Sequence, residues 1–174
     1  MLLKRTGRAA IAFGVSLVLL VVSSLAFVTS ADAGTVDDEQ LFIQMINQLR
    51  TDKGLNPLVV DGELTAQARA WSQSMAAHDQ LAHTSNLAGG ISSPWTVLGE
   101  NVGVHVIHDV SGLFQAFIAS PSHYQNLVDP RFQYVGVGVV NTEAGKLWTT
   151  HRFMAATAPP APAPPTTAAP TTTA

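Results

Sequence analysis

The chain has 174 residues, with nine Lys or Arg and twelve Asp or Glu, and its formal net charge is −3. A mildly acidic chain with no basic cluster beyond its N-terminus argues against nucleic acid as a partner. No cysteine is present, which excludes disulfides, thiol catalysis and cysteine-ligated zinc.

The N-terminus has the features of a secretory signal. Three basic residues precede an uncharged apolar stretch, residues 9–28, which is followed by the small-x-small site Ala31-Asp32-Ala33. We therefore predict a signal peptide over residues 1–33, which places the rest of the chain outside the cytoplasm as a secreted or envelope-associated protein. A competing interpretation is an uncleaved membrane anchor, since about 20 apolar residues span a bilayer. Membrane contact is expected only through this segment.

The C-terminal residues 155–174 carry no charge and hold six of the ten prolines of the chain. Proline and small residues bury too little apolar surface to offset the entropy of ordering, so a disordered tail is predicted. Residues 34–154 remain, and their number is typical of a single domain.

Helical spacing dominates the first half of this domain. A helix is predicted from Asp37, where acidic residues suit the positive end of its dipole, and Gly54 ends it. Asp61 is the predicted N-cap of a second helix. Its apolar stripe comprises Leu64, Ala68, Trp71 and Met75.

The second half contains two further helices, separated from the first two by a turn-rich stretch over residues 78–95. One helix is predicted to follow Asp109. Ser120 and Pro121 then suit the N-cap and first position of another helix, which places His123 in its first turn. His105 and His108 are expected to be exposed or to make loop contacts, because a strand would point them to opposite faces.

Alternating apolar residues predict strands near the end of the domain. "FQYVGVGVV" and "KLWTTHRF" form an antiparallel hairpin, and "TVLGENVGV" is a third extended segment. Phe132 and Tyr134 are assigned to one face together with Val137 and Val139, whereas His151 is placed on an outer strand without a role. Helices first and strands mostly last indicate an α+β layered domain.

Four motifs occur in a characteristic order: "LAHTSN", "LGENVG", "SPSHYQNLVDPRFQYVGVGVV" and "LWTTHRF". Together they resemble the CAP superfamily of cysteine-rich secretory proteins, antigen 5 and pathogenesis-related proteins, in its cysteine-free bacterial SCP-like extracellular form. The resemblance covers roughly residues 38–154. It implies a three-layer α-β-α sandwich with a central antiparallel sheet.

The resemblance also implies a cleft with two histidines and two acids, which in some members binds a divalent metal such as zinc. His83, Glu100 and His123 match three of these positions and are the expected metal ligands. Ser120 stands where the second acid is expected. The resemblance therefore implies a cleft formed by His83, Glu100, His123 and Ser120, and it assigns no catalytic residue.

Two roles for these residues follow from their chemistry. Two imidazoles and a carboxylate can ligate one zinc and leave a position for water, but without a second carboxylate no general base is evident. In the alternative role, Glu100 accepts hydrogen bonds from His83 or from backbone N–H groups and holds the turn-rich loop on the sheet. Ser120, as an N-cap bonded to a backbone N–H, is expected to be a poor nucleophile.

Three functions are compatible with the sequence. The first is a non-catalytic extracellular binding module for a small apolar molecule, a lipid or an envelope component. The second is a zinc-dependent hydrolase of peptides or cell-envelope material, and the third is a surface adhesin or structural envelope protein. We expect the binding module, because no acid–base pair is complete.

Overall fold

A computed structural model of the protein describes residues 30–157, with side chains from residue 35. Most of the predicted signal peptide (residues 1–33) and most of the predicted tail (residues 155–174) lie outside the described residues. Among the helices of residues 30–157, none combines the length and the apolar character needed to cross a bilayer.

Four helices and four strands make up the described chain, which confirms the α+β class. The helices are α1 (Ser30–Asp52), α2 (Gly62–His78), α3 (Val110–Ala119) and α4 (Pro121–Val128). The strands are β1 (Val59–Val60), β2 (Trp95–His105), β3 (Tyr134–Asn141) and β4 (Leu147–Ala156), in the sheet order β1-β3-β4-β2.

The sheet lies between two helical layers, as the family resemblance implied. Strands β2, β4 and β3 pair antiparallel, and the two-residue β1 adds a short parallel pairing to β3. Helix α2 packs on one face, whereas α1, α3 and α4 pack on the other. Most of the buried apolar residues belong to the cluster on the α1 side.

Local signals in the sequence placed several helix ends correctly. Asp61 accepts a hydrogen bond from the Leu64 N–H (2.9 Å), and Asp109 accepts one from the Gly112 N–H (2.8 Å). Both aspartates therefore cap their helices as predicted. Gly54 follows α1 with a φ of 73°, a left-handed conformation that favours glycine.

The start of α1 differs from the prediction. The helix begins at Ser30 instead of Asp37, so the acidic residues lie well inside it. Glu39 is buried against the open edge of β3, where it accepts hydrogen bonds from the Val139 N–H (3.3 Å) and the Arg69 guanidinium. Glu39, one of these acidic residues, therefore links α1 to the sheet. The local sequence does not indicate this contact.

The predicted phase of β3 was wrong for one residue. Val137 and Val139 point into the core on the α1 side, whereas Tyr134 shares the other face with Gly136 and Gly138. A Cβ on Gly138 would lie 2.2 Å from the backbone nitrogen of Arg69 in α2. The glycines therefore allow α2 to approach the sheet closely.

Strand β4 also differs from the prediction. It lies between β3 and β2, so it is a central strand and not an outer one. It continues to Ala156, two residues past the predicted end of the domain, because Ala155 and Ala156 pair with Val97 and Trp95 of β2. Both faces and both edges of β4 are thus covered.

Candidate functional site

The candidate site lies along β2, which forms one edge of the sheet. Neighbouring residues of a strand point to opposite faces, so Glu100 and Asn101 face different helical layers. Glu100 lies opposite Arg152 on the α2 side, and Asn101 lies opposite His151 on the α3 and α4 side. Groups from both layers can therefore meet around this edge.

Glu100 binds the loop between α2 and β2. Its Oε1 is 2.8 Å from His83 Nδ1 and accepts a hydrogen bond from the Thr84 N–H (3.0 Å). Its Oε2 lies 3.1 Å from Arg152 Nε, an ion-pair separation at which the N–H is not aligned for a hydrogen bond. Glu100 and Arg152 are buried, whereas His83 is exposed. We call His83, Glu100 and Arg152 the His83 latch.

The same loop is held at further points. The indole N–H of Trp71 donates to the Ala82 carbonyl (2.8 Å), and Arg152 Nη1 donates to the Leu87 carbonyl (3.1 Å). Burial lowers the pKa of Arg152, and the charge of Glu100 partly offsets this effect. The geometry thus matches the alternative in which Glu100 holds the turn-rich loop on the sheet.

His123 reaches the site from the first turn of α4. The side-chain amide of Asn101 donates to the His123 carbonyl (3.0 Å), and that of Asn126 donates to the Glu100 carbonyl (3.1 Å). Burial, and secondarily the proximity of His83, lower the pKa of His123. The structure therefore brings His83, Glu100 and His123 together at one edge of the sheet.

Ser120 occupies the N-cap position of α4, but its side chain does not cap the helix. Its Oγ lies 2.9 Å from His123 Nδ1, because an imidazole three residues into the helix reaches the same oxygen. The predicted bond to a backbone N–H was thus wrong. Ser120 instead holds one nitrogen of the His123 ring.

Whether a metal can bind here depends first on the histidine ring nitrogens that make no hydrogen bond within residues 30–157. Nδ1 of His83 and Nδ1 of His123 each contact an oxygen, an arrangement that orients an imidazole whose Nε2 binds a metal. The oxygens of Glu100, however, already face His83, Thr84 and Arg152. Within residues 30–157, no group of three or more His, Cys, Asp or Glu has the geometry to hold a metal ion. A three-ligand zinc set does not fit this arrangement.

His151 was missed by the sequence reasoning. Its ring is fully buried among Phe42, Phe117 and Phe153, with centroids 4.7, 5.1 and 6.5 Å away. Neither ring nitrogen has a hydrogen-bond partner in the described part of the chain. Burial, and secondarily His123, lower the pKa of His151 to about 3. The ring is therefore neutral at pH 7, and it lies on the His123 side of the sheet.

Of the two remaining histidines near β2, His108 is exposed and contacts helix α1, whereas His105 makes a loop contact, in line with the expectation of exposure or a loop contact. His108 Nε2 lies 2.8 Å from Asp38 Oδ2 in α1, and His105 Nδ1 lies 3.0 Å from the Ile107 carbonyl oxygen. The rings of His105 and His108 thus contact different residues.

Comparison with known proteins identifies the family. The family model described as the cysteine-rich secretory protein family, CAP, matches residues 43–153, which is well over half of the chain. The chain therefore belongs to the CAP family.

Individual relatives share the domain but not the whole chain. The uncharacterized protein YkwD of Bacillus subtilis (strain 168) is 33% identical over 132 residues, which cover 70% of this chain and 49% of YkwD. The chain thus spans about half the length of this curated relative.

Solved structures show the same fold at lower identity. An outer surface protein of Borrelia burgdorferi aligns with a TM-score of 0.61 at 18% identity, covering 69% of this chain and 93% of that one. An extracellular protein containing an SCP domain from Bacillus anthracis strain Ames aligns with a TM-score of 0.60 at 23% identity, covering 69% and 41%. These likenesses concern the fold.

Proposed function

We propose that the chain is an extracellular CAP-domain binding module that does not catalyse a reaction at the His83 latch. The observation that carries this proposal is the environment of Glu100, whose oxygens face His83, Thr84 and Arg152. Its Oε1 is bonded to the loop, and its Oε2 is buried beside the Arg152 guanidinium, so the carboxylate is not exposed to water or substrate as a general base. The signal-like N-terminus and the extracellular relative from Bacillus anthracis support a location outside the cytoplasm.

We place the ligand in a trough between α1 and α2. Two adjoining cavities of about 340 and 350 Å³ lie along β3 and share Val36, Glu39 and Arg69. Further apolar side chains, Ile43 and Val60, line the second cavity. This size suits a small apolar molecule or a lipid acyl chain that packs on the aliphatic side chains. The rest of the wall is polar and includes the Glu39–Arg69 ion pair.

Binding of cis-parinaric acid, a fluorescent fatty acid, tests the trough. Val60, which is 52% exposed, lies in its wall, whereas Leu81, 49% exposed, does not contribute to it. A charge in the apolar wall should weaken binding, so Val60→Glu should raise Kd about tenfold or more, and Leu81→Glu should leave it unchanged. Absence of saturable binding by the native chain, or equal Kd values for both variants, contradicts the proposal.

A second candidate is the zinc-dependent hydrolase. The Nε2 atoms of His83 and His123 favour it, but the contacts of Glu100 do not fit a third zinc ligand, so the two histidines would be the protein ligands. This candidate predicts one divalent metal per chain. It also predicts that replacing either His83 or His123 with alanine abolishes zinc binding. Calorimetric titration of the chain with zinc tests it. One-to-one binding that both alanine variants abolish supports a shared metal site, and heat unaffected by either variant excludes it.

The role of surface adhesin or structural envelope protein stays a prediction. Its support is the Pro-, Ala- and Thr-rich composition of residues 155–174, which suits an attachment segment. Cell fractionation of chains with and without this segment tests it. Retention in the envelope that depends on the segment supports the role, and equal release of both chains contradicts it.

A further inference from the structure

Two adjacent aliphatic side chains stand out on the surface. Val106 is 73% exposed and Ile107 is 59% exposed, the highest values among the exposed large hydrophobic residues of the described chain. They occupy the turn between β2 and α3, and we call them the 106–107 tip. Single exposed aliphatic residues are common on soluble domains, but these two are adjacent and belong to one turn.

Polar contacts hold the tip in its outward position. His105, on one side, places Nδ1 3.0 Å from the Ile107 carbonyl oxygen. His108, on the other side, places Nε2 2.8 Å from Asp38 Oδ2 of α1. The turn is therefore fixed at both ends. Val106 and Ile107 are therefore exposed in a turn that side-chain contacts hold in place.

The tip lies at the end of the molecule where the N-terminal apolar stretch joins. Asp38, which contacts His108, also accepts a hydrogen bond from Asn141 at the last position of β3. The eight residues of α1 that precede Asp38 reach about 12 Å further. Residues 9–28 carry no charge and end two positions before Ser30.

The C-terminal end of the domain lies at the opposite end of the sheet. Ala156, the last residue of β4, pairs with Trp95 at the start of β2, whereas His105 at the end of β2 leads to the tip. The tip and the helix that follows the apolar stretch thus share one end, and the start of the Pro-rich segment lies at the other.

We propose that the 106–107 tip is a membrane-contacting surface. While residues 9–28 remain attached and occupy a bilayer, Val106 and Ile107 enter the interface of the same membrane. A stretch of this length matches the bilayer core, which is about 30 Å thick. Two side chains are too few to anchor a protein, so the tip orients a domain that the apolar stretch has already brought to the membrane.

Burial of apolar surface drives this contact, and attraction to anionic lipids does not. The charged residues beside the tip are mainly acidic. Asp38 of α1 contacts His108 and Asp109 caps α3, whereas Lys146, which precedes the partner of His105 in β4, is paired with Asp79. Acidic residues are repelled by an anionic surface. The contact should therefore form on zwitterionic phosphatidylcholine and persist at high salt.

The absence of cysteine allows a direct test with single labels. Full-length Val106→Cys is made by cell-free synthesis into phosphatidylcholine vesicles, which leaves residues 1–33 attached, and is labelled with the environment-sensitive dye NBD. Full-length Val59→Cys is the matched control, because Val59 is an exposed valine (44%) at the other end of the sheet and does not line the trough. Nitroxide-labelled phosphatidylcholine then serves as a quencher within the bilayer.

We expect at least twofold quenching of the dye at position 106, unchanged in 1 M NaCl, and little quenching at position 59. Quenching at position 106 no greater than at position 59 would overturn the proposal. Failure of the full-length chain to float with the vesicles would also overturn it. Quenching that high salt removes would contradict apolar burial as the cause.

Discussion

Glu100 shows how a single residue gives the site its character. Its Oε1 contacts the ring of His83 and the backbone of Thr84. Its Oε2 faces Arg152, whose burial makes an unpaired charge costly. Because Glu100 joins the loop and the sheet, removing its charge should affect both stability and loop order.

Replacing Glu100 with Gln should destabilise the protein by about 3 kcal/mol, since it leaves the buried Arg152 without its counter-ion. Replacing His83 with Ala should cost about 1 kcal/mol or less, because this histidine is exposed. Urea unfolding of both variants measures the difference. Equal losses for the two variants would show that Glu100 does not compensate the charge of Arg152.

Arg50 is a second buried residue whose bonds join distant segments. Its Nε donates to the Asn56 carbonyl (2.9 Å), and Nη1 and Nη2 donate to the carbonyls of Leu127, Asp129 and Phe132 at 3.1, 3.0 and 3.2 Å. Burial lowers the pKa of Arg50, and Asp129 partly offsets this effect. One guanidinium thus fixes the segment between α4 and β3.

Replacing Arg50 with Lys should cost about 3 kcal/mol, because a single ammonium cannot reach all four carbonyls. The control is Arg131→Lys, at an exposed ion pair with Asp129, which should leave the unfolding free energy nearly unchanged. Chemical unfolding of the two variants compares them. A loss below about 1 kcal/mol for Arg50→Lys would contradict this role.

At the residue scale, short-range features of the sequence were predictable and long-range partners were not. Asp61 and Asp109 cap helices because the bonds span only three residues. Ser120 also sits at an N-cap, but His123 takes its oxygen, a competition that the residue type does not show. The partners of Glu100 and Arg50 lie far apart in sequence and require the fold.

Among the elements, the contact between α2 and β3 depends on two glycines. A Cβ at Gly138 would lie 2.2 Å from the Arg69 nitrogen and 2.3 Å from the Ala68 carbonyl carbon, both of which are backbone atoms. Ser72 of α2 also donates a hydrogen bond to the Gly138 carbonyl (2.9 Å). Backbone atoms cannot move aside as the end of a flexible side chain can, so a Cβ at Gly138 would force α2 away from the sheet.

Replacing Gly138 with Ala should therefore destabilise the protein by about 3 kcal/mol through separation of α2 from the sheet. Gly62→Ala is the matched control: a Cβ there meets no atom within 4 Å, and Gly62 lies at the start of α2. This control should be neutral or slightly stabilising. Thermal unfolding compares the two, and a neutral Gly138→Ala would contradict the close packing.

The element pattern was predictable, but the order of the strands was not. Helical spacing, cap residues and alternation predicted the four helices and three long strands found in residues 30–157. Strand β4 is central because it pairs with both β3 and β2. Its partner β2 lies many residues earlier in the sequence, so local patterns do not reveal this pairing. For the same reason, the burial of His151 and the contact of Glu39 with β3 were missed.

For the whole molecule, His151 links stability to pH. Its ordinary pKa of 6.5 falls to about 3 in the folded protein, because burial disfavours the charged ring. Between these values the unfolded chain binds a proton that the folded protein does not. The contribution of the neutral ring is therefore fully present above pH 6.5, and it is lost as pH falls toward 3.

Replacing His151 with Phe should remove a slope of about 1.4 kcal/mol per pH unit from the unfolding free energy between about pH 6 and 5. Urea unfolding at several pH values measures it. Asp129 and Glu63 also have lowered pKa values, but these carboxyl groups titrate at lower pH. An unaltered slope in His151→Phe would therefore refute the role of His151.

The central claim is that Glu100 holds the loop over residues 79–94 on the sheet beside His123. Amide hydrogen exchange at Thr84 in the native protein tests it most directly, because that N–H donates to Glu100 (3.0 Å). Ser92, whose N–H donates to Glu63 (2.9 Å), is an internal control in the same loop. We predict protection at both amides, and loss of protection at Thr84 alone in Glu100→Ala, which removes the acceptor of the Thr84 N–H. Free exchange at Thr84 in the native protein would contradict the claim.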